Sequence, residues 1–306
     1  MLVAALIGAL FGVESGRVMP LDPSTLRPVG RGEAIAPMRG PVAWSPGRRL
    51  AIAVRPAGRV QIVGERTVET GTDAAFLAWA GRRLVAVGSD GAVAGGRLPT
   101  PVESAVSTGE HAVVLSRGSL AFISSTGAIR QVALPGVAHA GLAASSRAAY
   151  VADAGGVLEV TPDGTVTRRL IMAWPSKGSQ PWRTAALLGD TLVVAGCDKP
   201  VHSGCARPSG LRLIDTRRWT SRVLDSQASW FKRAGRYIVV ERDGLRVYTA
   251  DGILRIHALR GSDVAAQVGT THAYAHIIGA VGSRTRAIDL RTGTVRMLPA
   301  RVPYLL

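Results

Sequence analysis

One phrase recurs along this chain, and residues 237–259 show it most plainly: Tyr-Ile-Val-Val-Glu-Arg, Asp243-Gly244, Leu-Arg-Val-Tyr-Thr-Ala, Asp251-Gly252, Ile-Leu-Arg-Ile-His-Ala-Leu. Leu245, Val247 and Thr249 alternate with Arg246 and Tyr248, which is the two-residue period of a β-strand. Asp-Gly supplies the positive φ angles that two-residue hairpin turns require. The stretch therefore reads as three short strands joined by two tight turns.

The phrase returns at a period of roughly 35 to 40 residues, the mark of a repeat architecture. Val-Ala-Trp-Ser-Pro-Gly-Arg-Arg-Leu-Ala-Ile-Ala-Val after Pro41 is echoed from Leu77 as Leu-Ala-Trp-Ala-Gly-Arg-Arg-Leu-Val-Ala-Val, so Trp44 and Trp79 occupy equivalent places. Units of this kind cover residues 41–70, 74–102, 103–134, 140–171, 183–225, 228–259 and 263–300. In the unit 74–102 the outer strands are read at 92–95 and 98–102. The first unit, 1–30, holds an apolar run at 2–11, a strand at 17–21, the turn Asp22-Pro23-Ser24-Thr25 and a strand at 26–29, and it lacks its first strand. Residues 302–306 form a spare strand at the other end. One missing strand and one spare strand fit each other. The expectation is an all-β chain forming a single β-propeller domain of four-stranded antiparallel blades, with the ring closed by the C-terminal strand pairing into the N-terminal blade. Eight blades are expected, or seven if a degenerate unit has been counted as a blade.

The turn phrases carry a resemblance. Leu21-Asp22-Pro23-Ser24-Thr25, Ile214-Asp215-Thr216-Arg217 and Ile288-Asp289-Leu290-Arg291-Thr292-Gly293 resemble the outer hairpins of YVTN-type and quinoprotein-like propellers. Trp44-Ser45-Pro46-Gly47-Arg48-Arg49-Leu50 resembles the inner hairpin of WD-repeat and TolB-like propellers. These motifs imply a fold and specify turns; function has to be argued from a site. Three propeller chemistries find no match in the residues. Asn is absent, so the Glu/Asp/Asn calcium set of gluconolactonase-like propellers cannot be assembled; no two cysteines are adjacent, as they commonly are in quinoprotein dehydrogenases; and the Ser-x-Asp-x-Gly-x-Thr-Trp box of sialidase-type propellers does not occur.

A net charge of +16 invites a nucleic-acid or anionic-surface reading, since clustered cations gain affinity by releasing counterions. The distribution argues against it. Of the 37 Lys and Arg residues only Lys177, Lys199 and Lys232 are lysines, and the arginines are spread over the chain as solvated residues on outward strand faces instead of gathering in a stripe. Nucleic acid is thus not the expected partner. Residues 1–11 resemble the apolar part of a signal peptide but lack a basic start, and the stretch reads better as an inner strand. No apolar run approaches the roughly 20 residues that a membrane helix needs.

Cys197 and Cys205 are the only cysteines, separated by Asp-Lys-Pro-Val-His-Ser-Gly, a loop that Pro200 and Gly204 can turn within disulfide reach. A bridge there would stiffen the segment and place the protein outside the cytoplasm; two unlinked thiols in a cytosolic protein is the other reading. A zinc site using His202 as well has too few ligands. His272, Tyr274 and His276 alternate, so a strand would present all three on one face; packing between blades accounts for that pattern as well as a metal does. No metal or other cofactor is expected.

In an up-and-down blade, the turn between strands two and three leaves on the same rim as the connection from strand four to the next blade. Both unusual insertions of the chain fall at such places: residues 173–182 before the sixth blade, and residues 197–208 between strands two and three of that blade. Trp174, Lys177, Trp182, Arg183, Lys199, His202 and Arg207 are thereby expected on one face. Aromatic planes flanked by cations suit anionic, sugar-like or peptide ligands; the plainer reading is that the tryptophans plug gaps and the charges are solvated. The expected function is a non-catalytic, monomeric binding or scaffold propeller presenting this face to a protein, peptide or glycan. The alternative is a hydrolase or lyase with a polar site at the mouth of the central channel.

Overall fold

A computed structural model of the chain describes residues 10–45, 47, 49–171, 181–202, 204–279, 284–298 and 303–306. Among them every regular element is a β-strand. The strands form eight antiparallel sheets, numbered here as blades one to eight in chain order, and contacts divide the chain into two compact units, Ile35–Ser229 and Met1–Ala34 with Trp230–Leu306.

The larger unit contains blades two to six. Their strands are Met38–Trp44, Leu50–Val54, Arg59–Ile62 and Thr67–Glu69 in blade two; Ala74–Ala80, Arg83–Gly88, Ala92–Val93 and Gly96–Arg97 in blade three; and Val102–Ser107, His111–Ser116, Ser119–Ser124 and Ile129–Ala133 in blade four. Blade five is Gly141–Ala144, Ala149–Asp153, Gly156–Val160 and Val166–Ile171, and blade six is Trp182–Leu188, Thr191–Val201, Leu211–Asp215 and Thr220–Asp225, with Gly204–Pro208 paired outside the four-strand path. The smaller unit contains blade seven (Lys232–Ala234, Tyr237–Glu241, Leu245–Thr249, Leu254–Ala258), blade eight (Val264–Val268, His272–Ile277, Arg286–Asp289, Val295–Met297) and blade one (Leu10–Glu14, Arg17–Leu21, Glu33–Ala34). Blade one receives its missing first strand from the far end of the chain: Gly12 pairs with Leu305 and Val13 with Tyr304.

The second strands explain why sheets this short are stable. All five residues of Ala149–Asp153 are buried. Ala149 and Val151 project into an apolar cluster shared with blade four, whereas Tyr150 and Ala152 project into one shared with blade six. His111–Ser116 divides the same way, with Ala112 and Val114 packing toward blade three and Val113 and Leu115 toward blade five. The two-residue period of the strand thus feeds two seams at once, and the core lies between sheets. Trp79, fully buried, reaches across the seam from blade three: its Nε1 donates to Ala43 O of blade two at 3.2 Å, and the Arg49 guanidinium lies 4.7 Å from its ring centre.

Two turn types join third to fourth strands in six of the blades. In blades four, five and seven, Gly127, Gly164 and Gly252 donate to the carbonyls of Ser124, Thr161 and Thr249 at 2.9, 2.8 and 2.9 Å, with φ of +92°, +90° and +77°. This is a three-residue loop ending in a left-handed glycine. The two-residue turn expected at Asp251-Gly252 is corrected accordingly, since the ladder closes one step further out, at Thr249 N to Ile253 O (3.0 Å). The Asp243-Gly244 loop also has three residues, with Glu241 opposite Leu245; Asp243 and Gly244 take positive φ as expected, and the Gly244 N–H is drawn outward to Ser262 O at 2.8 Å. In blades one, six and eight an aspartate builds the turn. Asp22, Asp215 and Asp289 accept two backbone N–H groups on Oδ1, and their carbonyls accept the N–H of Leu26, Trp219 and Gly293, whose φ values are +56°, +56° and +79°. The Arg218 and Arg217 amides hold the Asp215 carboxyl below the usual carboxylate range.

Two strand expectations fail where proline and turn chemistry compete with the ladder. Residues 26–29 form no strand: Leu26 is left-handed within the Asp22 turn and Pro28 has no N–H, so a single bridge, Leu21 to Pro28, remains, and the outer strand of blade one is Glu33–Ala34. Residues 98–102 do not form the outer strand of blade three, because Pro99 and Pro101 remove two ladder donors; that strand is Gly96–Arg97, and Val102 opens blade four. The inner strand expected at 2–11 is described only from Leu10, and residues 1–9 lie outside the described residues.

Trp79→Ala leaves a cavity in the seam between blades two and three and removes the indole donor to the Ala43 carbonyl. The expected loss is about 3–5 kcal/mol of unfolding free energy, read from the urea midpoint; a loss near zero would show that the seam does not depend on this wedge.

Candidate binding face on blades five and six

The second strand of blade six is eleven residues long and outruns its partners. Within the blade it pairs with Trp182–Leu188 on one side and Leu211–Asp215 on the other. Beyond the blade it continues as an arm with Gly204–Pro208: Cys197 faces Pro208, Lys199 faces Arg207, Pro200 faces Cys205 and Val201 faces Gly204, with register shifts after Cys197 and Lys199. The insertion at 197–208 is therefore a β-hairpin. Lys199, His202 and Arg207 are exposed along it, together with Val201 at 47%. Cys197 and Cys205 form a disulfide with Cα atoms 5.8 Å apart, which ties the base of the arm to its returning strand.

Arg183, expected on the exposed face, sits inside the root of the arm with only 6% of its surface exposed. Its guanidinium donates to Trp182 O (2.9 Å), Cys197 O (3.2 Å) and Asp198 Oδ1 (2.5 Å), and Asp198 also accepts from Ser209 Oγ at 3.0 Å. Burial pushes the Arg183 pKa down, opposed by the Asp198 charge. The root is close-packed at Gly196, where a Cβ would stand 2.3 Å from Trp182 O and 2.6 Å from Arg183 Cδ. Trp182 is half-buried and lies opposite Cys197. Trp174 and Lys177 lie outside the described residues.

Residues not singled out from the sequence surround this root. In blade five, buried Asp153 takes two bonds from Arg168, at 2.7 and 3.0 Å, and one from Gly155 N at 2.8 Å. In blade four, Glu103 accepts from Ala140 N at 3.3 Å, while Arg117 Nε and His139 Nδ1 stand 3.9 and 4.0 Å from its Oε1. His139 has φ of +53° and offers its carbonyl to Arg183 N at 2.9 Å, which links this group to the root. The partners of His139 come from a strand start and a turn of the preceding blade, so no local spacing encodes the group.

On blade eight the alternating trio lies along one regular strand, His272–Ile277, and its members differ in burial. Tyr274 is buried in the seam with blade one and donates to Pro23 O at 2.7 Å; burial raises its pKa. His272 stacks near Tyr274, with ring centres 6.3 Å apart, and His276 is exposed. Among the described residues no group of three or more His, Cys, Asp or Glu side chains is placed to hold a metal ion, and no helix is long and apolar enough to cross a membrane.

No protein-family model matches the chain, and comparison with curated protein sequences finds no match. Solved structures do match. The apo form of AztD from Citrobacter koseri is similar with a TM-score of 0.61 and 12% identity, over 97% of this chain and 96% of that one. A eukaryotic initiation factor is similar with a TM-score of 0.51 and 12% identity, over 94% and 95%. The computationally designed Ika8 protein is similar with a TM-score of 0.50 and 13% identity, over 94% and 86%. The chain is an eight-bladed β-propeller. At these identities the likeness is one of fold.

Two outcomes test the site geometry. Thiol titration of denatured protein should give no free thiols before reduction and two after; two at once would mean that the disulfide is absent. Asp198→Ala strands a buried guanidinium and should cost about 3–5 kcal/mol, whereas the double change Arg183→Met with Asp198→Leu should cost clearly less, as read by urea denaturation. Equal costs would show that the pair is not what anchors the arm.

Proposed function

We propose that the protein is a non-catalytic binding propeller whose ligand, a protein, peptide or glycan, docks on the arm of blade six and on the connection that leads into that blade. The arm carries this reading. A two-stranded ribbon outside a sheet is marginal by itself; here a disulfide and a buried ion pair fix it while Lys199, Val201, His202 and Arg207 stay accessible. Ordering it before any partner arrives lowers the entropy lost on binding, which is the physical advantage of a preorganised surface. Trp182 lies at the base of the arm, and the connection that precedes it in sequence carries Trp174 and Lys177; aromatic and cationic residues together suit stacking on sugar rings or peptide side chains and charge-assisted hydrogen bonds. The disulfide supports an oxidising compartment outside the cytoplasm as the place of action.

The test compares the wild-type protein with the K199A/H202A/R207A variant on glycan and peptide arrays. All three positions are exposed, so the thermal midpoint should hardly move. Ligands retained by the wild type should bind the variant at least tenfold more weakly; an unchanged array profile would remove the arm from the binding site.

A further inference from the structure

We propose a second binding site, between blades one and eight, for a small organic phosphate or sulfate ester. It shares no residue with the arm. A hollow of about 430 Å³ lies there, lined by Thr25 and Arg27 of the Asp22 turn and by Arg284, Arg296 and Met297 of blade eight. That volume falls within the range of small-molecule sites.

The turn on one side of the hollow is rigidly held. Its αL residue Leu26 is only 5% exposed and packs with Tyr274, Ala287 and Leu298 in the seam between the two blades. Tyr274 Oη donates to the carbonyl of Pro23, and Asp22 Oδ1 accepts four bonds, from the amides and hydroxyls of Ser24 and Thr25, at 2.7–3.0 Å. On the other side Leu298 N donates to Thr285 O at 2.9 Å and ties the last strand of blade eight to the segment carrying Arg284. The walls are thus fixed without help from any ligand.

Three of the residues that line the hollow are arginines. Arg27, Arg284 and Arg296 are exposed, and among the described residues none of them has an ion-pair partner. Elsewhere an outward arginine is repeatedly matched by a carboxylate close by, as in Arg39–Asp73, Arg59–Glu69 and Arg97–Asp90, each at 2.5 Å. The carboxylate next to this hollow, Asp22, is already engaged within its own turn, and the Ser24 and Thr25 hydroxyls spend their hydrogens on it. Three arginines lining one concavity concentrate positive charge there, and planar guanidinium forks match a tetrahedral oxyanion through paired N–H donors. The hollow is roomier than one oxyanion requires, and Met297, 60% exposed at its edge, offers an apolar surface to the body of an ester.

The experiment is titration calorimetry of the full chain with three probes: inorganic phosphate, glucose 6-phosphate and glucose 6-sulfate. Wild-type protein is compared with R27A/R284A/R296A and with R218A/R222A/R255A, which removes the same charge at exposed positions elsewhere. The wild type should bind at least one ester more tightly than inorganic phosphate, and which ester binds tighter separates phosphorylated from sulfated ligands. The site variant should bind at least tenfold more weakly, and the control variant within twofold of wild type. If the triple variant does not fold, R296M alone should still weaken binding severalfold. The proposal is overturned by a wild type that binds none of the probes, by equal losses in the site and control variants, or by inorganic phosphate binding as tightly as both esters.

Discussion

A four-stranded sheet that is apolar on both faces has nowhere to put half of its hydrophobic surface unless another sheet lies on each side. Everything else in this structure depends on that constraint. Ala149, Tyr150, Val151 and Ala152 are consecutive, all buried, and serve two different seams in alternation. Solvent exclusion is obtained between blades, so no blade has a core of its own. The first strand of blade one, only Tyr304–Leu305, follows from the same need: without it the Leu10–Glu14 strand would present an open edge.

The architecture was legible because that constraint leaves a periodic trace. Alternation within strands, the Trp44/Trp79 echo and the aspartate turns at Asp22, Asp215 and Asp289 are all local signals, and the structure uses each where the sequence placed it. Legibility stopped where two local rules competed. Pro28, Pro99 and Pro101 sit in apolar stretches that look extended, yet a missing N–H outweighs a hydrophobic pattern on an outer strand. It stopped again at the candidate site. Arg183 resembles every other arginine in composition, and only its juxtaposition with Asp198, fifteen residues on and across a strand pair, turns it into a buried anchor. The cysteine pair was readable because nine consecutive residues contain the whole geometry. The Glu103, Arg117 and His139 group was not, because its members come from three separate elements.

Charge in this chain therefore has two separate uses. Most of the excess is spread over outward faces, where pairs such as Arg39–Asp73 are solvated and contribute little to stability. The buried pair at the root of the arm is different in kind. Its desolvation cost is offset only while both partners remain, so it specifies a conformation more than it adds stability. A protein this basic gains selectivity where its cations are held in a fixed arrangement.

The left-handed residues of the aspartate turns carry a further implication. Glycine occupies this place in blade eight, but Leu26 and Trp219 occupy it in blades one and six, at φ values that a side chain adopts at some cost. Both side chains leave their own blade. Leu26 enters the seam with blade eight, and Trp219 lies 6.0 Å from the Tyr150 ring and 5.7 Å from the Arg169 guanidinium of blade five. The turn is strained so that its neighbour can be gripped, and the grip in turn keeps the turn in that shape. Local geometry and docking are then a single event at these two positions. The smallest piece of the molecule that can melt independently there is a pair of adjoining blades, never one blade by itself.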